Sequence, residues 1–148
     1  MAALAQDTAR ASRNRGIEAY VKTDAVTYFV GAFVGLDTTT GKVVLWTDVA
    51  NRAFLGVVMQ HYPLSDYGIT TTSPDEVQVN TSGEILEYVS VATASAITDV
   101  GAAVYATSDN DLTLAVASNT NAVGRVVRWY SSTFCDVRLF TPAEYLLQ

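Results

Sequence analysis

Few side chains in this sequence could form a nucleophilic catalytic centre. His61 is the only histidine and Cys135 the only cysteine, so any Ser-His-Asp or Cys-His arrangement would have to use His61. The sequence has no Gly-x-Ser-x-Gly turn to present a serine. His61 follows a predicted strand, where a lone histidine is more typically a surface residue. Cys135 alternates with Val137 and Leu139, which predicts a buried thiol and not a reactive one.

The acidic residues do not form a convincing metal or glycosidase site. Asp109 and Asp111 lack the further acidic positions, central glycine and terminal glutamate of a calcium loop, and a turn capped by its own side chains explains them better. Glu84 and Glu87 are typical of a solvated sheet face, and nothing distinguishes an acid from a nucleophile. We therefore predict no catalytic residue, no metal ligand and no cofactor.

The one distinct electrostatic feature is a basic N-terminal segment. Residues 1–24 contain Arg10, Arg13, Arg15 and Lys22 against three acidic residues, a net charge of +1, whereas the rest of the chain carries −7. We predict an arm over residues 1–24 that is mobile until bound, and a single β-barrel-like domain over 25–148. A docking arm for an acidic protein surface and a merely solvated terminus both remain open. Direct nucleic-acid binding is the third alternative, and it is disfavoured because no aromatic residue lies among the arginines before Tyr20.

Composition disfavours nucleic-acid-binding, membrane-spanning and secreted proteins. The chain has 148 residues and a net charge of −6, which is a poor match for nucleic acid because phosphate neutralisation supplies most of that affinity. No apolar run approaches the ~20 residues of a membrane helix. The N-terminus has no basic leader followed by a long apolar stretch, so we expect synthesis and retention in a cytoplasm.

The elements that must position these residues are β-strands. Val and Thr are abundant, and short apolar runs alternate with turn residues, which favours an all-β fold, a small barrel or sandwich. A long Thr/Ser/Pro-rich loop covers residues 61–75, and a bulge is expected near Leu86 and Glu87. The predicted strands are Tyr28–Leu36, Val43–Thr47, Phe54–Gln60, Glu76–Asn80, Glu84–Val91, Ala103–Ala106, Leu112–Val116, Val123–Tyr130 and Thr133–Phe140.

The chain ends in a short helical signal. Thr141, Pro142 and Glu144 form a capping box that starts one helical turn. The apolar residues of this turn should dock on the chain itself or on a neighbour; they are Tyr145, Leu146 and Leu147.

A weak internal repeat runs through the strands. Gly31–Val34 is similar to Gly101–Val104, and Ala53–Val58 is similar to Ala122–Val127. We interpret the repeat as two related β-units of one barrel, with chance similarity in a Val/Ala/Gly-rich chain as the alternative.

Several segments together resemble the small cement, or head-decoration, proteins of phage capsids. They are Tyr28–Leu36, Ala53–Val58, Thr81–Ile85, Ala96–Ala106 with the turn at Asp109, Ala122–Val127 and Asp136–Leu139, within residues 25–140. What matches is a rhythm of glycine, valine and turns. The resemblance implies an all-β, β-tulip-like subunit on the outer surface of a phage head. Such a subunit is made in the host cytoplasm, is commonly a homotrimer, binds the major capsid protein and bridges capsomers.

On that interpretation Arg10, Arg13, Arg15 and the nearby Tyr20 are the candidate capsid-docking residues. The apolar tail of Tyr145, Leu146 and Leu147 is the candidate subunit contact. Two other functions remain open: another phage structural part, such as a tail or head fibre, and a small ligand-binding or catalytic β-barrel with His61 and the 61–75 loop at its mouth.

Overall fold

A computed structural model provides the fold and describes residues 16–23, 26–62 and 76–148. The all-β prediction is confirmed, including a barrel and a C-terminal helical turn. The elements are β1 (Ile17–Val21), β2 (Phe33–Asp37), β3 (Val43–Leu45), β4 (Arg52–Val58), β5 (Glu76–Asn80), β6 (Ile85–Ala92), a 3₁₀ turn (Ile97–Asp99), β7 (Ala103–Ala106), β8 (Leu112–Thr113), β9 (Gly124–Ser131), β10 (Phe134–Leu139) and α1 (Pro142–Leu146).

The strands form two five-stranded units in chain order. The first unit is a sheet with the strand order β1-β5-β4-β2-β3, and the second is a closed barrel with the order β10-β6-β8-β7-β9. Opened between β6 and β8, the barrel has the order β6-β10-β9-β7-β8, which is the order of the first unit. The closing β6–β8 contact is parallel, and the edges of the first sheet meet in an isolated parallel bridge between Lys22 and Val43.

Strand register shows that the repeat is structural. In β2 and β4, Val34 pairs with Gly56, and in β7 and β9, Val104 pairs with Gly124. The pairing of the outer strands corresponds as well. Ile17 of β1 pairs with Asn80 of β5, and Ile85 of β6 pairs with Arg138 of β10. The repeat in the sequence is therefore confirmed, but each copy builds its own five-stranded unit and the two do not share one barrel.

The turns that enter β2 and β7 also correspond. Gly31 and Gly101 both have φ of +89°, a conformation that L side chains rarely adopt. Their N–H groups donate to the carbonyl oxygens of Val58 and Val126, at 2.9 and 2.8 Å. A glycine is needed at both positions for the chain to turn sharply into the strand.

Each unit has its own apolar core. Alternation in β5 places Val77 and Val79 at 0% exposure, as predicted, in a cluster that also holds Tyr28, Val34 and Val43. In β10 the alternate residues face the second core, which confirms the predicted inward face of Cys135, Val137 and Leu139.

An aromatic cluster joins the two units. Trp46, which follows β3, is fully buried, and its indole N–H donates to the carbonyl oxygen of Ala106 in β7 at 2.8 Å. Its ring packs edge-on against Phe54 and Tyr145, with centroids 5.4 and 5.9 Å apart. Residues of the first unit thus complete the core of the second.

A polar contact joins the units beside that cluster. The Asp48 carboxylate accepts hydrogen bonds from the backbone N–H groups of Ser118 and Asn119 and from the Thr120 hydroxyl, at 2.9–3.0 Å. Burial acts to raise the pKa of Asp48, but these hydrogen bonds outweigh it and lower the pKa below its usual value.

Several local predictions need correction or refinement. The strand predicted over Tyr28–Leu36 is too long, because residues 29–31 turn, and β2 begins at Phe33. The predicted bulge is present one residue later: Glu87 and Tyr88 of β6 lie opposite the single residue Asp136 of β10, and Tyr88 takes φ of +51°. Residues 17–21 of the predicted arm form β1, and the boundary at residue 24 stays a prediction.

Candidate docking surfaces

The basic segment is only partly described. Arg10, Arg13 and Arg15 lie outside the described residues. Tyr20 lies in β1, half-buried against the first core, and burial followed by the charge of Glu18 raises its pKa. Tyr20 therefore contributes to the first unit as well as being a candidate for docking.

The C-terminal turn has the predicted capping box. The Thr141 hydroxyl accepts from the backbone N–H of Glu144 at 3.2 Å, and Pro142 occupies the first turn. Glu144 also binds Arg138 through two hydrogen bonds of 2.8 and 2.9 Å. The bond from Arg138 lowers the pKa of Glu144, and the same pairing raises the pKa of Arg138. The turn is thus anchored to β10.

The three apolar residues of this turn differ in their solvent exposure. Tyr145 is buried in the chain's own core, where its hydroxyl donates to the Arg52 carbonyl oxygen at 3.4 Å. Leu146 and Leu147 are 69% and 86% exposed. Among the three, only these two leucines present apolar surface to a neighbour.

A cluster of three aromatic side chains, here called the aromatic patch, lies on β6, β9 and β10 of the second unit, and sequence reasoning missed it. The Tyr88 ring stacks on Phe134 at 4.7 Å between centroids and meets Tyr130 edge-on at 5.3 Å. Arg128 lies 4.7 Å over the Tyr130 ring, and the Tyr130 hydroxyl donates to Asp136 at 2.8 Å. The positive φ of Tyr88, at the β6 bulge, marks backbone held in an uncommon conformation.

A groove of about 780 Å³ opens along the seam where β6 meets β8. Strands β6 and β8 pair only at Val91–Leu112 and Ala92–Thr113, so the earlier part of β6 has β10 on one side and the groove on the other. The lining residues are Gly31, Phe33, Leu86, Val89, Ser90, Ala92, Thr107, Asn110, Asp111, Leu112, Thr113 and Ala115.

The residues with reactive side chains are in the cores or packed beside them. Cys135 is fully buried, as predicted, and burial raises the pKa of its thiol. The prediction of a surface His61 is wrong, since it is 9% exposed and packs edge-on to Phe29 at 5.2 Å. Within the described ranges, no three His, Cys, Asp or Glu side chains are grouped to hold a metal ion.

Comparison with known families decides what kind of protein this is. A family model described as structural cement protein (E217 gp24/Pam3 gp6) matches residues 2–138. The chain belongs to the phage cement proteins. No curated protein and no solved structure matches it significantly.

Family membership confirms the resemblance seen in the sequence at the level of function class. The cement protein is a structural component of a phage, located on the virion capsid and binding to it, and the family indicates a non-enzymatic role. Among the residues that the structure describes, no helix has the length and apolar character to cross a membrane.

Proposed function

We propose that this cement protein binds the outer surface of a phage head and stabilises the shell by bridging neighbouring capsomers. The family match over residues 2–138 carries this proposal. The two-unit architecture supports it, because the buried Trp46 cluster and the Asp48 contacts hold both units in one body that can resist deformation.

The physical basis is the addition of many weak contacts. A shell displays the same docking position many times, and each bridging subunit converts its second contact into an intramolecular one. Exposed apolar and aromatic residues supply contacts of this kind without any reactive group; the larger ones of the second unit include Tyr88, Ile97, Val100 and Val127.

The partners are the major capsid protein and further copies of this chain, arranged as a homotrimer. For the capsid contact we keep the basic segment, with Arg10, Arg13, Arg15 and the nearby Tyr20, because guanidinium groups suit an acidic protein surface. For the contact between copies the exposed Leu146 and Leu147 are the strongest candidates of the tail, since Tyr145 is buried in its own chain.

Binding to heads that lack the protein tests this function. The full chain is expected to decorate purified heads as regular features in electron micrographs and to raise the temperature at which heads open. Knobs confined to a tail or to single fibres, or no binding at all, would contradict a cement function.

A truncation tests the arm. Removal of residues 1–15 spares β1, which begins at Ile17, and is expected to leave a folded protein that no longer binds heads. A full-length variant with Arg10, Arg13 and Arg15 replaced by serine shows whether head binding depends on the charge of the arm or on its length. Head binding that survives both changes would show that the docking surface lies elsewhere.

A further inference from the structure

The equivalent seams of the two units are filled differently. In the first unit, Tyr28 is fully buried at the seam between β1 and β3, and its hydroxyl donates to the carbonyl oxygen of Val43 at 2.9 Å. Gly31 and Gly101 correspond, so the counterpart of Tyr28 is Thr98, an exposed residue of the 3₁₀ turn. The second unit therefore has no aromatic ring at this place, and its seam is the open groove along β6.

The groove has the features of a site for an extended peptide. Its floor is apolar, with Phe33, Leu86, Val89 and Leu112 among the lining residues. On the groove side, β6 is paired only at Val91 and Ala92, so its preceding residues present a strand edge. A peptide that pairs with such an edge gains main-chain hydrogen bonds and places alternate side chains in the groove.

The electrostatics of the groove select a basic occupant. Asp111 is the charged residue among those that line it, and Asp109 lies in the turn beside it. None of the described residues that line the groove is Lys or Arg. A segment with apolar residues at one end and basic residues at the other would match both the floor and the rim.

Such a segment joins the described chain near the start of β6. The carbonyl oxygen of Gly16 accepts from the Thr81 N–H at 2.6 Å, and Gly16 lies against Ser82, three residues before β6 begins. The preceding 15 residues combine an apolar start, Met1–Ala5, with three arginines against one aspartate. An extended segment of this length spans roughly 50 Å, enough to run along the whole of β6.

We propose that the seam between β6 and β8 binds residues 1–15 of the same chain, added as an extended strand along β6. In the protein free of heads this contact holds the segment on its own second unit. Docking of the segment on a capsid would then require its release, so the two contacts compete. The groove contact itself does not depend on the proposed capsid function.

Peptide binding tests the site directly. A fluorescently labelled peptide of residues 1–15 is titrated with the chain lacking those residues, and saturable binding that weakens with added salt is expected. A Ser90→Arg change places a cation in the groove at an exposed position of β6 and should weaken binding at least about tenfold. Ile85→Arg, on the same strand but outside the groove lining, is the matched control and should bind normally.

The full-length protein supplies a second measurement. Limited trypsin cleavage after Arg10, Arg13 and Arg15 should be at least about threefold faster in Ser90→Arg than in the parent or in Ile85→Arg, because cleavage follows the released population. Equal cleavage rates, or equal binding of a scrambled peptide, would overturn the proposal. A mass in solution that falls on Ser90→Arg substitution would place the segment in a second copy and overturn the same-chain assignment.

Head binding separates this contact from the capsid function. Ser90→Arg should bind heads at least as tightly as the parent, since its segment is already released. If the peptide binds the groove and no variant binds heads, the capsid proposal fails and the groove contact stands. If the protein binds heads but the peptide does not bind the groove, the groove proposal fails and the capsid proposal stands.

Discussion

Gly56 and Gly124 occupy the same position in the two units. Each pairs with a valine, Val34 or Val104, and each lies against the backbone of the strand on its other side. A Cβ atom at Gly56 would overlap the carbonyl oxygen of Asn80, and one at Gly124 would lie 2.5 Å from the carbonyl oxygen of Arg138. Both units therefore have the same steric requirement: a residue without a side chain is needed where three strands lie close together.

Alanine at either glycine is therefore expected to destabilise the fold. We expect a loss of roughly 2–3 kcal/mol for Gly56→Ala and for Gly124→Ala, because backbone atoms must move to admit the methyl group. Denaturant unfolding measures the loss. Gly41→Ala is the control: its φ is +71° but nothing lies within 4 Å of the new Cβ. It should cost only about 1 kcal/mol, and an equal loss at Gly41 would contradict the steric explanation.

The Trp46 indole should be needed to hold the units together. Trp46→Phe removes the donor to the buried Ala106 carbonyl oxygen and leaves a small void, so we expect a loss of roughly 2–3 kcal/mol. Trp129→Phe removes a similar bond to the exposed Ser132 and should cost less than about 1 kcal/mol. Thermal unfolding compares the two, and equal effects would argue against a joining role for Trp46.

The Asp48 carboxylate should make stability depend on pH. Its pKa is lower in the folded protein than in the unfolded chain, so its contribution is present above the unfolded pKa and is lost as pH falls through the folded value. Asp48→Asn should therefore lower the melting temperature at pH 7, by an amount equivalent to about 1–2 kcal/mol. In acid, with the carboxyl protonated in both states, the difference should shrink. A difference that is constant from pH 7 into acid would exclude the charge as its cause.

The exposed leucines should govern self-association. Replacing Leu146 and Leu147 by glutamate adds charge where both side chains are solvent-exposed in the single chain, so folding should be preserved. Light scattering is expected to show a smaller mass for the double variant than for the parent. Ile97→Glu, at a residue that is also 70% exposed, is the control and should keep the parent mass. An unchanged mass of the double variant would remove the tail from the subunit contact.

Short-range patterns predicted the elements well. Alternation located β5 to the residue and assigned Val77 and Val79 to the core, and the Thr141–Glu144 signal predicted the helical turn. The error at residues 28–32 has a physical reason: Tyr28 and Ala32 are buried like strand residues, while the positive φ of Gly31 turns the chain between them. Apolar content alone does not distinguish these two conformations.

Short-range patterns could not predict contacts between distant parts of the chain. The ring of His61 packs against Phe29, and the ring of Tyr145 packs against Trp46 and Phe54. The aromatic patch of Tyr88, Tyr130 and Phe134 joins three strands and has no signature within any one of them.

The sequence by itself therefore determined the all-β class, the repeat and the cement family, because composition, alternation and turn residues act over a few neighbours. Only the tertiary structure decided that the repeat makes two separate five-stranded units, that one seam is filled by Tyr28 while the other is open, and which tail residue is buried. These features depend on the strand register and on side chains brought together from up to a hundred positions apart along the chain, which local sequence does not encode.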